Sequence, residues 1–315
     1  MIEAKVILDS LALNGVRLTT FELTYPRFIH AELMTHRAFS RNAASSRAIP
    51  TVKKIERIRT DVAKPSEWGV NQKGMQSGGS LAPEVIARTV DLWQKACDNA
   101  LDIASRLDAL GLHKQVANRI LEPFDHITVV LSGTKFKNHF KLRLECDPSG
   151  RPYADPTYYE LALKWKAAYD ASVPVVRELH LPYVDETGDP TVLKKISVGR
   201  CARVSYLRQG QSDTEENIKL HDRLAASGHW SPFEHVAWPM TDVSFNVFDA
   251  FDRYCDSCDA DSLGNLRVLK QCSPKRKLNG YLNLCARCSY GHIHSGNFHG
   301  WYQYRKDFPN EAGGD

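Results

Sequence analysis

Thr35-His36-Arg37-Ala38-Phe39-Ser40-Arg41-Asn42-Ala43-Ala44-Ser45-Ser46-Arg47 is the stretch on which the reading of this chain turns. Arginine, histidine, serine and asparagine make up most of it, and apolar Phe28, Ile29, Leu33 and Met34 lie just before it. Guanidinium and hydroxyl donors at this density suit a phosphorylated small molecule. The competing reading is a solvated charged face. The rest of the chain has to decide between them.

The chain has 315 residues, enough to bury a sizeable core in one large or two modest domains. Hydrophobic residues make up 43% and charged residues 25%, the balance of a soluble globular protein. The formal charge of +4 is too mild to argue for a nucleic-acid or membrane partner. No apolar run is long enough to span a bilayer. Met1-Ile2-Glu3-Ala4-Lys5 lacks the form of a signal peptide, so the expectation is a cytoplasmic protein.

Residues 2–24 alternate in polarity around Asn14-Gly15, which predicts a hairpin with strands over 3–11 and 16–24. A helix is expected from Pro26 to Arg37. Residues 48–82 read as a long loop, and Trp68, Asn71, Gln72, Gly74 and Met75 make it a candidate lid as well as a candidate flexible segment. Helical periodicity covers 84–110, then a shorter helix runs through Val116 and Ile120 to Pro123. His126 to Leu131 reads as a buried strand, Lys135 to Arg143 as a helix and Pro156 to Leu179 as a long amphipathic helix. Beyond the joint at Gly188-Asp189-Pro190, a strand is expected over 196–207, a helix over 214–226 and a strand over 238–247. Such a mixture is α+β rather than alternating βαβ.

Of the eight cysteines, Cys255, Cys258, Cys272, Cys285 and Cys288 fall in one short segment. Cys255-Asp-Ser-Cys258 and Cys285-Ala-Arg-Cys288 form two C-x-x-C knuckles, the arrangement of a tetrahedral four-cysteine zinc site. Reduced structural cysteines are the other reading. Lys270, Lys275, Arg276 and Lys277 give the segment a basic tip. A closed site of four thiolates has no open coordination position, so no catalysis is assigned to it.

No Gly-x-Gly-x-x-Gly turn, P-loop or Gly-x-Ser-x-Gly elbow is present, and no cysteine is marked as a nucleophile. Three polar clusters remain. They are the opening stretch; Arg119 with Asn138 and Arg143; and Ser205 with Gly228-His229-Trp230-Ser231-Pro232-Phe233-Glu234-His235. Taken singly, Arg143 could be a charge partner of a helix C-terminus and His235 a satisfied core histidine.

Together the clusters resemble the flavin-dependent thymidylate synthases. His36-Arg37, Ser40, Asn42, Ser45 and Arg47 are similar to that family's Arg-His-Arg-x-x-Ser-x-Asn-Glu-x-Ser-x-Arg signature. Ala202-Arg203-Val204-Ser205-Tyr206 and Ser231-Pro232-Phe233-Glu234-His235 resemble its other half, and Asn138 to Arg143 and Tyr159-Glu160-Leu161 resemble the segments between. The likeness covers roughly residues 15–240. The two halves stand in inverted order, as in a circular permutation. Gly300 to Lys306 echoes the segment that leads into the arginine motif. Thr35, Ala43 and Glu32 replace the family's arginine, glutamate and substrate-contacting glutamine.

The resemblance implies a mixed or antiparallel central sheet packed against long helices. It implies a permuted catalytic domain over 1–250 and a returning segment over 296–315, with the zinc-ribbon-like insertion expected from the cysteine spacing over 251–295 between them. It implies FAD-dependent methylation of dUMP to dTMP, with methylenetetrahydrofolate as carbon donor and NADPH as reductant, in a homotetramer whose sites are shared between subunits. A related methylase or hydroxymethylase of UMP, dUMP or dCMP is the alternative. An inactive nucleic-acid-binding protein using the zinc ribbon is the alternative of another class. By the same resemblance Arg143 and Ser45 are catalytic. Glu32, Ser45, Ser46, Arg47, Arg119 and Arg143 bind substrate, and Thr35, His36, Arg37, Asn138, Ser205 and His235 contact FAD. Cys255, Cys258, Cys285 and Cys288 are the expected zinc ligands.

Overall fold

The computed structural model describes residues 1–206, 214–240, 276–278, 282–284, 291–292, 294–295 and 297–308. Its centre is a five-stranded sheet in the order β3-β4-β2-β1-β5. The strands are β1 (Glu3–Leu11), β2 (Arg17–Pro26), β3 (Ser40–Ala43), β4 (His126–Gly133) and β5 (Val175–Val176). The β1–β2, β2–β4 and β3–β4 pairs are antiparallel, and β5 runs parallel to β1.

The hairpin turns at Asn14-Gly15, where Gly15 has φ +81° and donates its N–H to Ala12. Glycine adopts this backbone without a Cβ clash. Below the turn, Arg17 forks onto buried Asp9 at 2.6 and 2.9 Å, and Ser172 Oγ donates to the same carboxylate. That pairing ties the hairpin to the end of the helix that packs on it.

Strand alternation gives the sheet two different faces. Phe21, Leu23, Tyr25, Ile127, Val129 and Leu131 point one way, into a core completed by α5 (Lys137–Leu144) and α6 (Pro156–Ala171). Trp165 of α6 is fully buried there, with its ring 5.6 Å from Phe21. Thr20, Val130 and Ser132 point the other way. They face α7 (Pro190–Ala202), the 3-10 turn Ser231–His235, and the strand Trp301–Gln303 that pairs with Ala237–Pro239. A separate core joins α2 (Thr51–Thr60) to α3 (Pro83–Ala109) through Ile55, Ile58, Cys97 and Leu101. The second sheet face carries a row of buried polar groups. His180 bonds Ser10 at 2.8 Å and Thr20 at 2.7 Å, the Thr20 and Ser132 hydroxyls meet, and Ser132 bonds His235 Nδ1 at 2.9 Å.

The α+β mixture, the hairpin, β4, α3, α5 and the helix α8 (Thr214–Ala226) agree with the sequence reading. Five elements differ. The helix expected over 26–37 is only a 3-10 turn, Arg27–Ile29, and α1 (His30–Met34), because Pro26 still pairs in β2 and the chain leaves the helix at Thr35. The supposed loop 48–82 contains α2, whose Ile55 and Ile58 are buried against α3. The helix expected to end at Pro123 is α4 (Lys114–Ala117) followed by a 3-10 stretch, Asn118–Phe124. The helix from Pro156 stops at Ala171, because Pro174 disfavours helix at Val173, and β5 follows.

The largest correction is at 196–207, which is not a strand. Asp189 caps Thr191 N–H at 2.9 Å and Pro190 opens a helix that continues to Ala202 and a 3-10 turn, Arg203–Tyr206. Its β-branched residues are tolerated because packing decides: at Gly199 α8 comes so close that a Cβ would lie 2.6 Å from the Asn217 carbonyl oxygen. The strand expected over 238–247 is described only as Ala237–Pro239, and its remainder and all four knuckle cysteines lie outside the described residues. Among the described residues no helix is long and apolar enough to cross a membrane.

Gly199→Val is expected to destabilise the protein by at least ~1–3 kcal/mol, because backbone cannot yield as a flexible side chain can. Urea denaturation checks it, and an unchanged midpoint would contradict the α7–α8 contact. Burial holds His180 and His235 down to about 3, against an ordinary 6.5. The unfolded chain therefore takes up protons that the folded one refuses between those values. Their neutral, folded forms are fully favoured above 6.5, and stability falls as pH drops below it. The expected loss is about 2 kcal/mol for each of the two at pH 5. A melting temperature equal at pH 7 and pH 5 would contradict it.

Candidate functional site

The site is built where α1 ends. Arg41 lies on the apolar face of β3, beneath α1, and its guanidinium donates to the carbonyls of Met34 at 3.1 Å and His36 at 3.2 Å. A half-buried cation at a helix C-terminus satisfies carbonyls that have no partner within the helix. Thr35 Oγ1 donates to the Glu32 carbonyl at 2.7 Å. These contacts fix the turn Thr35–His36 at the edge of α5.

From α5, Arg143 reaches into that turn. Its Nε donates to His36 Nε2 at 2.9 Å, and one Nη donates to the Glu32 carbonyl and to Thr35 Oγ1, each at 3.2 Å. Its guanidinium lies over the Tyr158 ring, 4.4 Å from the centroid. Arginine can only donate, so His36 Nε2 is the acceptor and the imidazole proton sits on Nδ1. Partial burial, then Arg143 and Arg41, hold His36 down to about 4. His139, 4.7 Å from it ring to ring, is held at about 3 chiefly by burial. Both rings are neutral at pH 7. Burial likewise raises the Tyr158 phenol, which bonds His139. The Arg143 guanidinium therefore sits among neutral rings.

Arg143 and Glu32 open onto a cleft of about 540 Å³. Its opposite wall is the segment 67–77 together with the turn 151–156. Val70 donates to the Gly79 carbonyl at 2.8 Å and Leu81 to the Trp68 carbonyl at 3.0 Å, so the segment folds back on itself. Gly69 is required in this fold: a Cβ there would lie 2.3 Å from Ser77. Arg151 clamps the segment, donating to Glu67 at 3.1 Å and to Ser77 Oγ at 3.3 Å. Met75, at its tip, is fully exposed. The sequence-level lid candidate is thus the far wall of the cleft, with Gln72 and Met75 among its lining residues.

Ser46 and Arg119 form a second group. Ser46 Oγ donates to Glu122 Oε1 at 2.7 Å, Arg119 pairs with the same oxygen at 3.1 Å, and Arg27 approaches it at 3.4 Å. Arg47 is exposed and its N–H donates to Ser45 Oγ at 3.3 Å. Of the expected substrate and flavin residues, Glu32 and Arg143 line the cleft, whereas Thr35, His36, Arg37, Ser45, Ser46, Arg47, Arg119, Asn138 and His235 do not. Arg37 and Asn138 are exposed, next in sequence to the touching pair His36 and His139.

His235 is fully buried, with Nδ1 on Ser132 and Nε2 without a hydrogen-bond partner. This is the core-histidine reading rather than a ligand contact within this chain. The Ser231–His235 turn nevertheless meets the opening stretch directly. Ser231 donates to Asn42 Oδ1 at 2.9 Å, Asn42 donates to the Cys201 carbonyl at 2.9 Å, and Gln303 bridges Ser40 at 2.9 Å and the Glu234 carbonyl at 2.8 Å. The Ser205 side chain lies outside the described residues. Among the described residues no cluster of three or more His, Cys, Asp or Glu side chains is placed to hold a metal ion.

Sequence reading passed over Arg41, Tyr158, His139 and Arg151. Arg41 had a signal, since it sits at an alternate position in a short strand directly after a helix end. The other three are brought in by the packing of α6 and the turn before it.

No protein-family model matches this chain, and no curated protein matches its sequence. Among solved structures it is similar to a UMP/dUMP methylase, PolB, from Streptomyces cacaoi bound with 5-Br dUMP. The two share 15% identity, with 54% of this chain and 90% of that chain covered and a TM-score of 0.43. The same methylase bound with 5-Br UMP gives 14% identity, 54% and 88% coverage and a TM-score of 0.43.

Proposed function

We propose that this chain binds a pyrimidine nucleotide in the Glu32–Arg143 cleft and alkylates its base at C5, as a flavin-dependent enzyme of the thymidylate synthase type. The reaction that the sequence resemblance implies is dUMP to dTMP, with methylenetetrahydrofolate as carbon donor and NADPH as reductant. One observation carries the reading. Two motifs a hundred residues apart meet in a single hydrogen-bonded unit, Arg143 with Glu32, Thr35 and His36, on the wall of a cleft.

Arg143 is held by its Nε, by one Nη and by the Tyr158 face. A guanidinium fixed in this way needs no rearrangement to stabilise negative charge that builds on a pyrimidine ring as C5 becomes nucleophilic. Neutral His36 keeps its proton on Nδ1 while Nε2 accepts from Arg143. FAD, when bound, would supply the electrons that reduce the transferred one-carbon unit to a methyl group. Exposed Thr35, Arg37 and Asn138 and half-buried His36 would hold FAD, with Arg37 and Asn138 next in sequence to the touching pair His36 and His139. His235, buried in the core, does not fit. Arg47 and Arg119, outside the cleft, would take the phosphate of a nucleotide bound across a subunit boundary in a homotetramer. Ser45 belongs with that group. Methylation or hydroxymethylation of UMP, dUMP or dCMP is the second reading, allowed by Glu32 and Ala43 where the resembled family has glutamine and glutamate.

Arg143→Ala is expected to keep the fold and to lose turnover by about 3–4 kcal/mol of barrier, the cost of one preorganised donor. Nucleotide-dependent oxidation of reduced flavin measures it. A purified protein that is colourless and cannot be reconstituted with FAD would refute the flavin reading outright. We also assign a structural zinc to Cys255, Cys258, Cys285 and Cys288 within the 251–295 insertion. Metal analysis should find about one zinc per chain, and Cys255→Ser should lower the melting temperature. Substoichiometric zinc with an unchanged Cys255→Ser melt would remove the assignment.

A further inference from the structure

We infer that an exposed apolar stripe on α3 is the surface on which two copies of this chain pair, α3 against α3 in antiparallel orientation. This rests on the subunit association in the proposed function and names a surface for it.

The helix α3 has 27 residues and is roughly 40 Å long. One apolar face of it is spent within the chain. Cys97, Leu101 and Ala104 are buried with Ile55 and Ile58 of α2 and with Leu121 and Phe124 of the following 3-10 stretch. A second apolar face is not. Val85, Leu92, Ile103 and Leu110 keep 42%, 57%, 48% and 83% of their surface exposed. At about 100° per residue, these four fall within about 20° of one line, turned by about a third of a circle from the buried face. Exposed Ala96 lies beside the same line. Single exposed apolar residues need no explanation, but a line of them along a whole helix is the seam of a helix pair.

The spacing selects the partner. The steps from Val85 to Leu92, Ile103 and Leu110 are seven, eleven and seven residues, the same from either end. Two such helices, antiparallel about a two-fold axis between Cys97 and Asp98, put Leu92 of each on Ile103 of the other. They likewise put Val85 of each on Leu110 of the other. A two-fold contact between identical chains requires this reciprocity, whereas an unrelated partner does not. Thr89, Asn99 and Arg106 fill the remaining positions of the stripe. Antiparallel pairing sets Arg106 against Thr89 and Asn99 against Ala96. Parallel pairing would set each Arg106 on its own copy, guanidinium against guanidinium.

The charges agree with the same register. Exposed Lys95 and Asp102 flank the stripe on the side away from the core. In the antiparallel pair Lys95 of one copy comes beside Asp102 of the other, twice about the axis, so opposite charges meet. Within one chain Lys95 pairs with Asp91 at 2.7 Å and Asp102 with Arg106 at 3.5 Å. Exposed pairs of this kind contribute little, so an exchange of partners costs little.

The test measures the mass of the full-length protein by sedimentation equilibrium. Joint substitution Leu92→Glu and Ile103→Glu is expected to halve the mass of the wild-type assembly, or to weaken its association by about 10-fold or more, with an unchanged circular dichroism spectrum. Cysteine pairing checks the register without disturbing the fold. Leu92→Cys combined with Ile103→Cys is expected to give a covalent dimer on mild oxidation, above the wild-type background. Neither substitution alone does so, because like positions lie about 16 Å apart along the antiparallel pair, too far for a disulfide. The two positions in one chain are separated by the same distance, so no bridge within a chain competes. A monomeric wild type overturns the inference and the homotetramer together. An assembly that survives the double glutamate variant, or a double cysteine variant no more cross-linked than wild type, overturns the α3 surface alone. Nucleotide and flavin binding, measured separately, are left standing by either result.

Discussion

The alternation of one short strand links the core of this protein to its cleft. In β3, Ser40 and Asn42 point to one side of the sheet and Arg41 and Ala43 to the other, as a two-residue period demands. On the first side Ser40 and Asn42 bond Gln303 and Ser231, segments from the far end of the chain. On the second side Arg41 holds the carbonyls at the end of α1. The turn fixed by Arg41 carries Thr35 and His36, which hold Arg143. A one-residue slip of β3 against β4 would exchange the two sides, placing a guanidinium in the polar row and an amide beneath α1.

The same geometry joins β3 to segments from the second half of the chain. The Ser231–His235 turn touches β3 through side-chain and main-chain hydrogen bonds, and those need proximity rather than sequence order. What closes the arrangement is the strand Trp301–Gln303 against Ala237–Pro239, with Asn14 Nδ2 donating to the Gly300 carbonyl at 3.0 Å. The hairpin turn at the start of the chain and the segment near its end therefore lie together.

Elements governed by local pattern were legible in the sequence. The β1–β2 hairpin follows from alternation and Asn-Gly, α3 from its periodicity, and β4 from a β-branched run buried on both faces. Residues 196–202 read as a strand because Ile196 and Val198 suit one, whereas the Asp189 cap and Pro190 start a helix there and the close contact of Gly199 with α8 accommodates it. The site divides in the same way. Glu32, His36 and Arg143 were readable as motif residues. Tyr158 and Arg151 were not, since each acts through a neighbour that tertiary packing supplies: the guanidinium above one, and a loop more than seventy residues away for the other.

Two histidines of the motifs show why residue identity alone does not assign a role. His36 and His235 are both neutral at pH 7, but for different reasons. His36 is held down by partial burial and then by the charges of Arg143 and Arg41, so its protonation state depends on the same group that faces the cleft. Anything that changes the charge around Arg143, a bound anion included, acts on His36 too. His235 is held down by burial alone, within a row of hydroxyls that joins β1, β2 and β4 to the turn behind them. Its state is insulated from the cleft and is coupled to folding instead. One short polar stretch can therefore carry both kinds of residue a few positions apart: Ser40 and Asn42 belong with His235 in the frame, and Thr35 and His36 belong with Arg143, behind the cleft wall.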